Sequence, residues 1–166
     1  MSGAPDEPHG LPAAVVVASN RAAAGVYEDT TGPLIRDALC RLGFTVGEPA
    51  VVPDGEPVGT AIRAAVDAGA RVVLTTGGTG LTPTDRTPEV TRALLDREVP
   101  GIAEAIRAHG VAQGVPTAVL SRGLAGVVGR CLVVNLPGSR GGVKDGLAVL
   151  EPVLVHAVEQ VVGSDH

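Results

Sequence analysis

Aromatic side chains are nearly missing from this chain, whose 166 residues include one Phe, one Tyr and no Trp. Large rings therefore cannot carry the core. It has to come from the Val, Leu, Ile and Ala residues of a 45% apolar composition, side chains suited to close-packed layers of helix on sheet. Lysine is almost absent too, Lys144 being the only one. The other basic residues are scattered along a chain of net charge −5, which argues against the basic stripe of a nucleic-acid-binding protein. Abundant Arg alongside Ala, Gly and Val reflects genomic base composition, so arginine is informative only by position. Apolar runs stop well short of the ~18 residues of a membrane span. Met1 to Pro12 carries Asp6 and Glu7 and no basic segment, so it does not read as a secretory signal. It is expected to be a disordered tail, residues 1–12, on a cytoplasmic protein with a single domain over 13–163. Cys40 and Cys131 lie within apolar patterns, lack metal-ligand spacing and are expected to be buried thiols.

What is present is a succession of strand and helix signals. Ala13 to Ala18 is a continuous apolar run, a first strand. Pro33 and Gly43 bracket a helix whose Leu34, Ile35, Ala38, Leu39 and Leu42 form one apolar face. Phe44 to Val52 reads as a second strand, closed by Pro53-Asp54-Gly55, and a second helix runs from Pro57 to Ala68 with Gly69 as its stop. Arg71 to Thr76 is a third strand. Three βα units joined by short connections imply parallel strands with right-handed crossovers, hence an α/β fold. Further on come helices from Pro88 and over Ile102 to His109, a Val/Leu segment at Thr117 to Leu120, and a last strand, Cys131 to Leu136. A helical region broken at Pro152 ends the chain.

The most informative stretch is Thr75 to Glu89. A buried strand runs into Gly77-Gly78-Thr79-Gly80, and a helix then starts with Thr87 as N-cap, Pro88 at its first position and Glu89 in its first turn. Three glycines in four residues let backbone N–H groups approach a ligand closely, and the threonines and Asp85 add hydroxyls and a carboxylate. This is phosphate and Mg²⁺ chemistry, without a Walker lysine and without the Rossmann glycine spacing. The alternative is a glycine turn and no more.

Four polar clusters follow predicted strands that would share one sheet edge: Ser19-Asn20-Arg21, Asp54, Thr76 to Asp85, and Asn135 to Arg140. Convergence of two glycine loops and two aspartates on one crevice exceeds what turns require, and ligands of open α/β sheets bind at such edges. Asp85 and Asp54 suit Mg²⁺, which takes one or two carboxylates and completes its shell with phosphate and water; Pro-Asp-Gly is equally a stock turn. Tyr27, Glu28, Asp29 and Thr30 precede the first helix and read as capping it or favouring its dipole. Arg21, Arg140, Ser139 and Lys144 read either as phosphate contacts or as solvated surface. The histidines, His9, His109, His156 and His166, show no partner, and none is assigned a catalytic role.

Gly77-Gly78-Thr79-Gly80 with Asp85-Arg86-Thr87-Pro88-Glu89 resembles the signature of the molybdenum cofactor biosynthesis family, which includes bacterial molybdopterin adenylyltransferase and related domains of plant and animal cofactor-insertion proteins. The resemblance runs from Ala13 to Val162 through Ser19-Asn20-Arg21, Gly25 to Asp29, Gly32, Pro53-Asp54, Asp96 to Gly101, Ser121-Arg122 and Asn135-Leu136-Pro137-Gly138. It implies a three-layer αβα fold, usually a homotrimer, that binds ATP and molybdopterin and transfers AMP to the pterin's phosphate with release of pyrophosphate. It places the nucleotide on Thr76, Gly77, Gly78, Thr79 and Gly80, the catalytic and Mg²⁺-holding carboxylates on Asp85 and Asp54, and the pterin on Ser19, Asn20, Pro137, Gly138, Ser139 and Arg140. ATP and molybdopterin are the implied small-molecule partners, with transient contact to other cofactor enzymes. Asn20 stands where many members have Asp, keeping an acceptor and losing a charge, and Arg140 stands where proline is frequent. Two other activities occur on this fold: a pterin-binding scaffold without turnover, and a nucleotide pyrophosphatase branch with Gly-Gly-Leu-Gly-Pro-Thr and paired Asp-Asp, where this chain has Thr79 and Thr84-Asp85-Arg86.

Overall fold

The computed structural model describes residues 10–163, so residues 1–9 of the expected tail lie outside the described residues. Gly10 donates to the Gly43 carbonyl at 2.9 Å, and strand β1 (Pro12–Ala18) follows directly. Around it are β2 (Thr45–Val46), β3 (Ala50–Val52), β4 (Val72–Thr76), β5 (Arg97–Glu98), β6 (Ala125–Val128) and β7 (Cys131–Leu136). They form one sheet in the order β2-β1-β4-β7-β6-β5, with β3 also paired to β1. β1 pairs parallel with β2, β3 and β4, and β4 parallel with β7; the β7–β6 and β6–β5 pairings at the far edge are antiparallel.

Helices cover both faces, giving the expected three layers. The helices are α1 (Asn20–Ala23), α2 (Thr31–Arg41), α3 (Glu56–Asp67), α4 (Thr87–Arg92), α5 (Pro100–Ala112), α6 (Arg140–Leu150) and α7 (Leu154–Val162), with a 3-10 turn at Pro116–Leu120. Strand side chains alternate between faces. Val15, Val17, Leu74, Leu132 and Val134 pack with Ile35 and Leu39 of α2, Ile106 of α5, Val143 and Leu147 of α6 and Val158 of α7. Val16, Val73 and Val133 pack on the other face with Val58 and Ile62 of α3 and Val90 of α4. Burial on both faces is why the central strands read as unbroken apolar runs.

Several boundaries differ from the sequence reading. Phe44 to Val52 is two short strands, because Gly47-Glu48-Pro49 breaks the pairing between them. The Thr117 to Leu120 segment is a 3-10 turn, and β5 and β6 were not anticipated. Cys40 is exposed on α2, correcting its expected burial, whereas Cys131 is buried as expected. The break at Pro152 is present between α6 and α7.

Candidate functional site

Parallel pairing brings the C-terminal ends of β1, β3, β4 and β7 to one edge, with Ala18 opposite Val52 and Thr76 opposite Leu136. Gly77 leaves this edge at φ +90°, and its N–H reaches the Leu136 carbonyl at 3.3 Å. A Cβ on Gly77 would collide with the Ala18 carbonyl oxygen, and one on Gly138 would lie 3.2 Å from the Gly77 Cα. The two glycine loops therefore touch backbone to backbone, a contact that requires glycine on both sides.

Asp54 sits where these loops meet. The Asn20 side-chain oxygen accepts from the Asp54 backbone N–H at 2.9 Å, tying the loop after β1 to the loop after β3. Asp54 Oδ1 is buried with no hydrogen-bond partner, and so is Thr87 Oγ1. Both border the space that a side chain on Gly78 (φ +67°) would occupy: a Cβ there would collide with Thr87 Oγ1 and lie 3.2 Å from Asp54 Oδ1. Asp85 closes the other side; a Cβ on Gly80 would lie 2.8 Å from its Oδ2, which accepts from the Thr82 N–H at 3.0 Å. Burial, and then repulsion from Asp85, raise the Asp54 pKa above the ordinary aspartate value, with the Asn20 backbone opposing the shift.

Orphaned buried acceptors are rare and call for an explanation. A hard cation supplies one here: Asp54 Oδ1, Thr87 Oγ1 and the Asp85 carboxylate are oxygen donors of the type Mg²⁺ takes. Among the described residues no group of three or more His, Cys, Asp or Glu is positioned to hold a metal. A cation at this site would therefore draw much of its shell from water and from a ligand's phosphate oxygens.

The remaining expected residues divide between ligand-facing and structural positions. Ser19, Thr76, Gly77 and Gly138 line a cavity of about 420 Å³ that also takes in Tyr27 and Asp29. Pro137 and Ser139 line a second, of about 210 Å³, between α5 and α6, together with Ile106, Arg107, Ser121 and Asp145. Ser19 caps α1 through the Ala22 N–H, and Ser139 caps α6 through the Gly142 N–H at 3.0 Å. The Thr76 hydroxyl is taken up by the Pro137 carbonyl at 2.7 Å, and Thr79 is buried with its carbonyl held by the Arg122 N–H at 2.8 Å. Arg140 is exposed at the start of α6. Arg21 lies against Tyr27, bonding its hydroxyl at 2.9 Å, and the Asp29 carboxylate, one residue before the Thr30 cap of α2, accepts from the Gly32 N–H at 3.0 Å. Asn135 is a structural residue: its side chain joins the Leu124 N–H, Thr75 Oγ1 and Thr91 Oγ1. Thr87 does not cap α4; Arg86 occupies the cap position, and the Thr87 hydroxyl turns inward toward Asp54. The helix histidines do have neighbours, His109 facing Asp145 at 4.0 Å and His156 meeting Gln160 at 2.9 Å.

A family model described as a probable molybdopterin binding domain matches residues 14–156. The chain belongs to the molybdenum cofactor biosynthesis family. It is 42% identical over 159 residues to the molybdenum cofactor biosynthesis bifunctional protein of Synechococcus elongatus, a match covering 95% of this chain and 49% of that protein. With the molybdopterin adenylyltransferase of Pyrococcus furiosus it shares 38% identity over 149 residues, 87% of this chain and 88% of the relative. A solved structure of MogA superposes with a TM-score of 0.88 at 57% identity, covering 90% and 99% of the two chains. The chain thus spans about half the length of the bifunctional relatives it matches and nearly all of the MogA chain.

Two arginines of this family member carry geometry that residue-type reasoning did not assign. Arg122 donates from Nε to the Gly80 carbonyl and from Nη2 to the Asp85 carbonyl, both at 2.8 Å, and its Nη1 pairs with Glu89. That hydrogen bond is the main reason the Glu89 carboxyl titrates below its usual range. Arg107, on α5, donates to the carbonyls of Ser121 and Gly123 on either side of Arg122. The Ser121-Arg122 pair was visible as part of the family pattern, but nothing in the pattern gave it a role.

Proposed function

We propose that the chain is a molybdopterin adenylyltransferase, moving AMP from ATP to the terminal phosphate of molybdopterin with Mg²⁺. A pterin phosphate oxygen bonds to the α-phosphorus of ATP as the bond to the β-phosphate bridging oxygen breaks, and pyrophosphate leaves. The observation that carries this reading is the pair of buried, unpartnered oxygens, Asp54 Oδ1 and Thr87 Oγ1, beside a glycine loop and a second aspartate. The nucleophile is already an anion, so no protein base is needed, and alignment and charge stabilisation suffice. Bound Mg²⁺ would neutralise charge on the transferring phosphoryl group. Asp54, Asp85 and Thr87 would hold it, and the N–H groups of Gly78, Thr79 and Gly80 would orient the phosphates. The cavity lined by Ser19, Thr76 and Gly77, the more polar of the two, suits the nucleotide. The more apolar one beside Pro137 and Ser139 suits the flat pterin, with Asp145 as acceptor for ring N–H groups. Asn20 shapes this site through Asp54, and Arg140, exposed at the start of α6, would meet the pterin phosphate.

The same reading carries a single-domain, cytoplasmic homotrimer in transient contact with other cofactor enzymes, without nucleic-acid or membrane partners. Exposed Val111, Val115, Val119 and Leu120 offer apolar surface for a subunit contact. Among the described residues no helix is long and apolar enough to cross a membrane. The test is incubation with molybdopterin, ATP and Mg²⁺ and identification of products by mass. Adenylylated pterin and pyrophosphate, formed only with all three components, are expected. Pterin retained without turnover, or nucleotide cleaved without pterin, would replace this reading with the scaffold or the pyrophosphatase.

A further inference from the structure

Residues 79–86 form a loop around Asp85 that starts at the buried Thr79 and has Leu81 to Thr84 open to solvent. Within the loop, Asp85 and Thr82 bond each other twice, Thr82 and Thr84 hydroxyls approach at 3.4 Å, and the Thr87 N–H returns to the Gly78 carbonyl. None of these contacts fixes the loop to the body of the protein. Among the described residues, every hydrogen bond from 79–86 to a residue outside the 78–90 segment is made by Arg122: its backbone N–H to Thr79, Nε to Gly80 and Nη2 to Asp85. Its third nitrogen holds Glu89 at the start of α4. The support behind Arg122 is rigid. Arg107 grips the carbonyls at 121 and 123, and Leu124 is locked to Asn135 through both its N–H and its carbonyl.

We propose that Arg122 is a positioning residue, a clamp that fixes the 79–89 loop so that Asp85 is held beside Gly80 while Asp54 and Thr87 border Gly78. Arg122 reaches backbone carbonyls and Glu89, and has no place among the donors to a cation or phosphate. Without Arg122, no hydrogen bond among the described residues would tie 79–86 to the body of the protein. Three bonds in a fixed planar fork are a task for guanidinium; an ammonium is a single point of attachment and cannot span the three acceptors. The clamp rests on the proposed function only for what it serves. Its geometry is independent of which reaction occurs.

The test uses full-length Arg122→Ala, Arg122→Lys and Glu89→Gln, with Mn²⁺ binding followed by titration, hydrogen exchange of the 79–89 amides, and the melting temperature. Arg122→Ala is expected to weaken Mn²⁺ binding by roughly tenfold or more. It should also deprotect the 79–89 amides selectively, while exchange in β1, β4 and β7 stays unchanged. Millimolar guanidinium should restore part of the Mn²⁺ affinity of Arg122→Ala, Arg122→Lys should rescue little, and Glu89→Gln should have a smaller effect. Unchanged Mn²⁺ affinity and loop protection in Arg122→Ala would overturn the clamp, as would a uniform loss of protection across the sheet. These readouts need no turnover, so failure of the wild-type protein to make adenylylated pterin would count against the proposed function and leave the clamp to be judged separately.

Discussion

Asp54→Asn is expected to stabilise the metal-free protein. Asp54 carries a partly buried carboxylate with one oxygen unpartnered and Asp85 repelling it, so its charge opposes folding at neutral pH. The amide has the same shape and no charge, so it removes the cost of burying a carboxylate and the repulsion from Asp85. An unsatisfied buried acceptor costs ~1–3 kcal/mol, and partial exposure of Asp54 places the gain at the lower end, about 1 kcal/mol. For a chain of this length that raises Tm by about 2–4 °C. The sign of the pH dependence follows from the raised folded-state pKa. Protonated Asp54 favours the fold, a contribution fully present below the ordinary aspartate pKa and lost as pH rises through the folded-state value. The Tm difference between variant and wild type should therefore be near zero in acid and open as pH approaches neutrality. Mg²⁺ should reverse the ranking, since a ligand bound only by the folded wild type adds ~2.7 kcal/mol at a hundred times its Kd. Differential scanning calorimetry with and without Mg²⁺, across pH, measures all of this. A metal-free Asp54→Asn that melts several degrees below wild type, or a gap that widens on acidification, would refute the reasoning.

Three further outcomes are expected. Asn135→Ala removes three hydrogen bonds, two of them to the buried hydroxyls of Thr75 and Thr91, so urea unfolding should show a loss of about 3 kcal/mol; a loss below ~1 kcal/mol would mean Asn135 is dispensable. Gly77→Ala, with φ +90° and the Ala18 carbonyl in the way of any Cβ, should cost about 3 kcal/mol by the same assay, and a neutral effect would contradict the close loop contact. Maleimide at pH 8 should label the exposed Cys40 and spare Cys131, which is buried with its thiol pushed up to about 12; equal labelling rates by mass spectrometry would contradict that burial.

The parallel half of the fold was legible because β1, β4 and β7 are β-branched runs buried on both faces, and because Gly69 and Pro88 punctuate their helices in the usual way. The antiparallel edge was not. β5 is two exposed charged residues, and β6 carries Gly126, kept free of a side chain because a Cβ would meet the Arg97 carbonyl at 2.6 Å. Such a strand has no alternation to detect and exists through its neighbours. At the site, the meeting of the two glycine loops with Asp54 and Asp85 was readable from strand ends alone. Thr87 was misplaced because residue type and position suit an N-cap, whereas the chain enters the helix one residue earlier, at Arg86. Arg122 lies 37 residues from Asp85, too far for any local pattern to pair them.

Asp85, with Asp54 and the glycine loop, is proposed to serve AMP transfer specifically and not folding or pterin capture. This role is tested most directly by single-turnover formation of adenylylated molybdopterin in Asp85→Asn, measured beside its pterin affinity and melting temperature. The expected result is a rate lower by roughly 10²-fold or more with pterin affinity and Tm within error of wild type. A rate near wild type at saturating Mg²⁺ and ATP would contradict it.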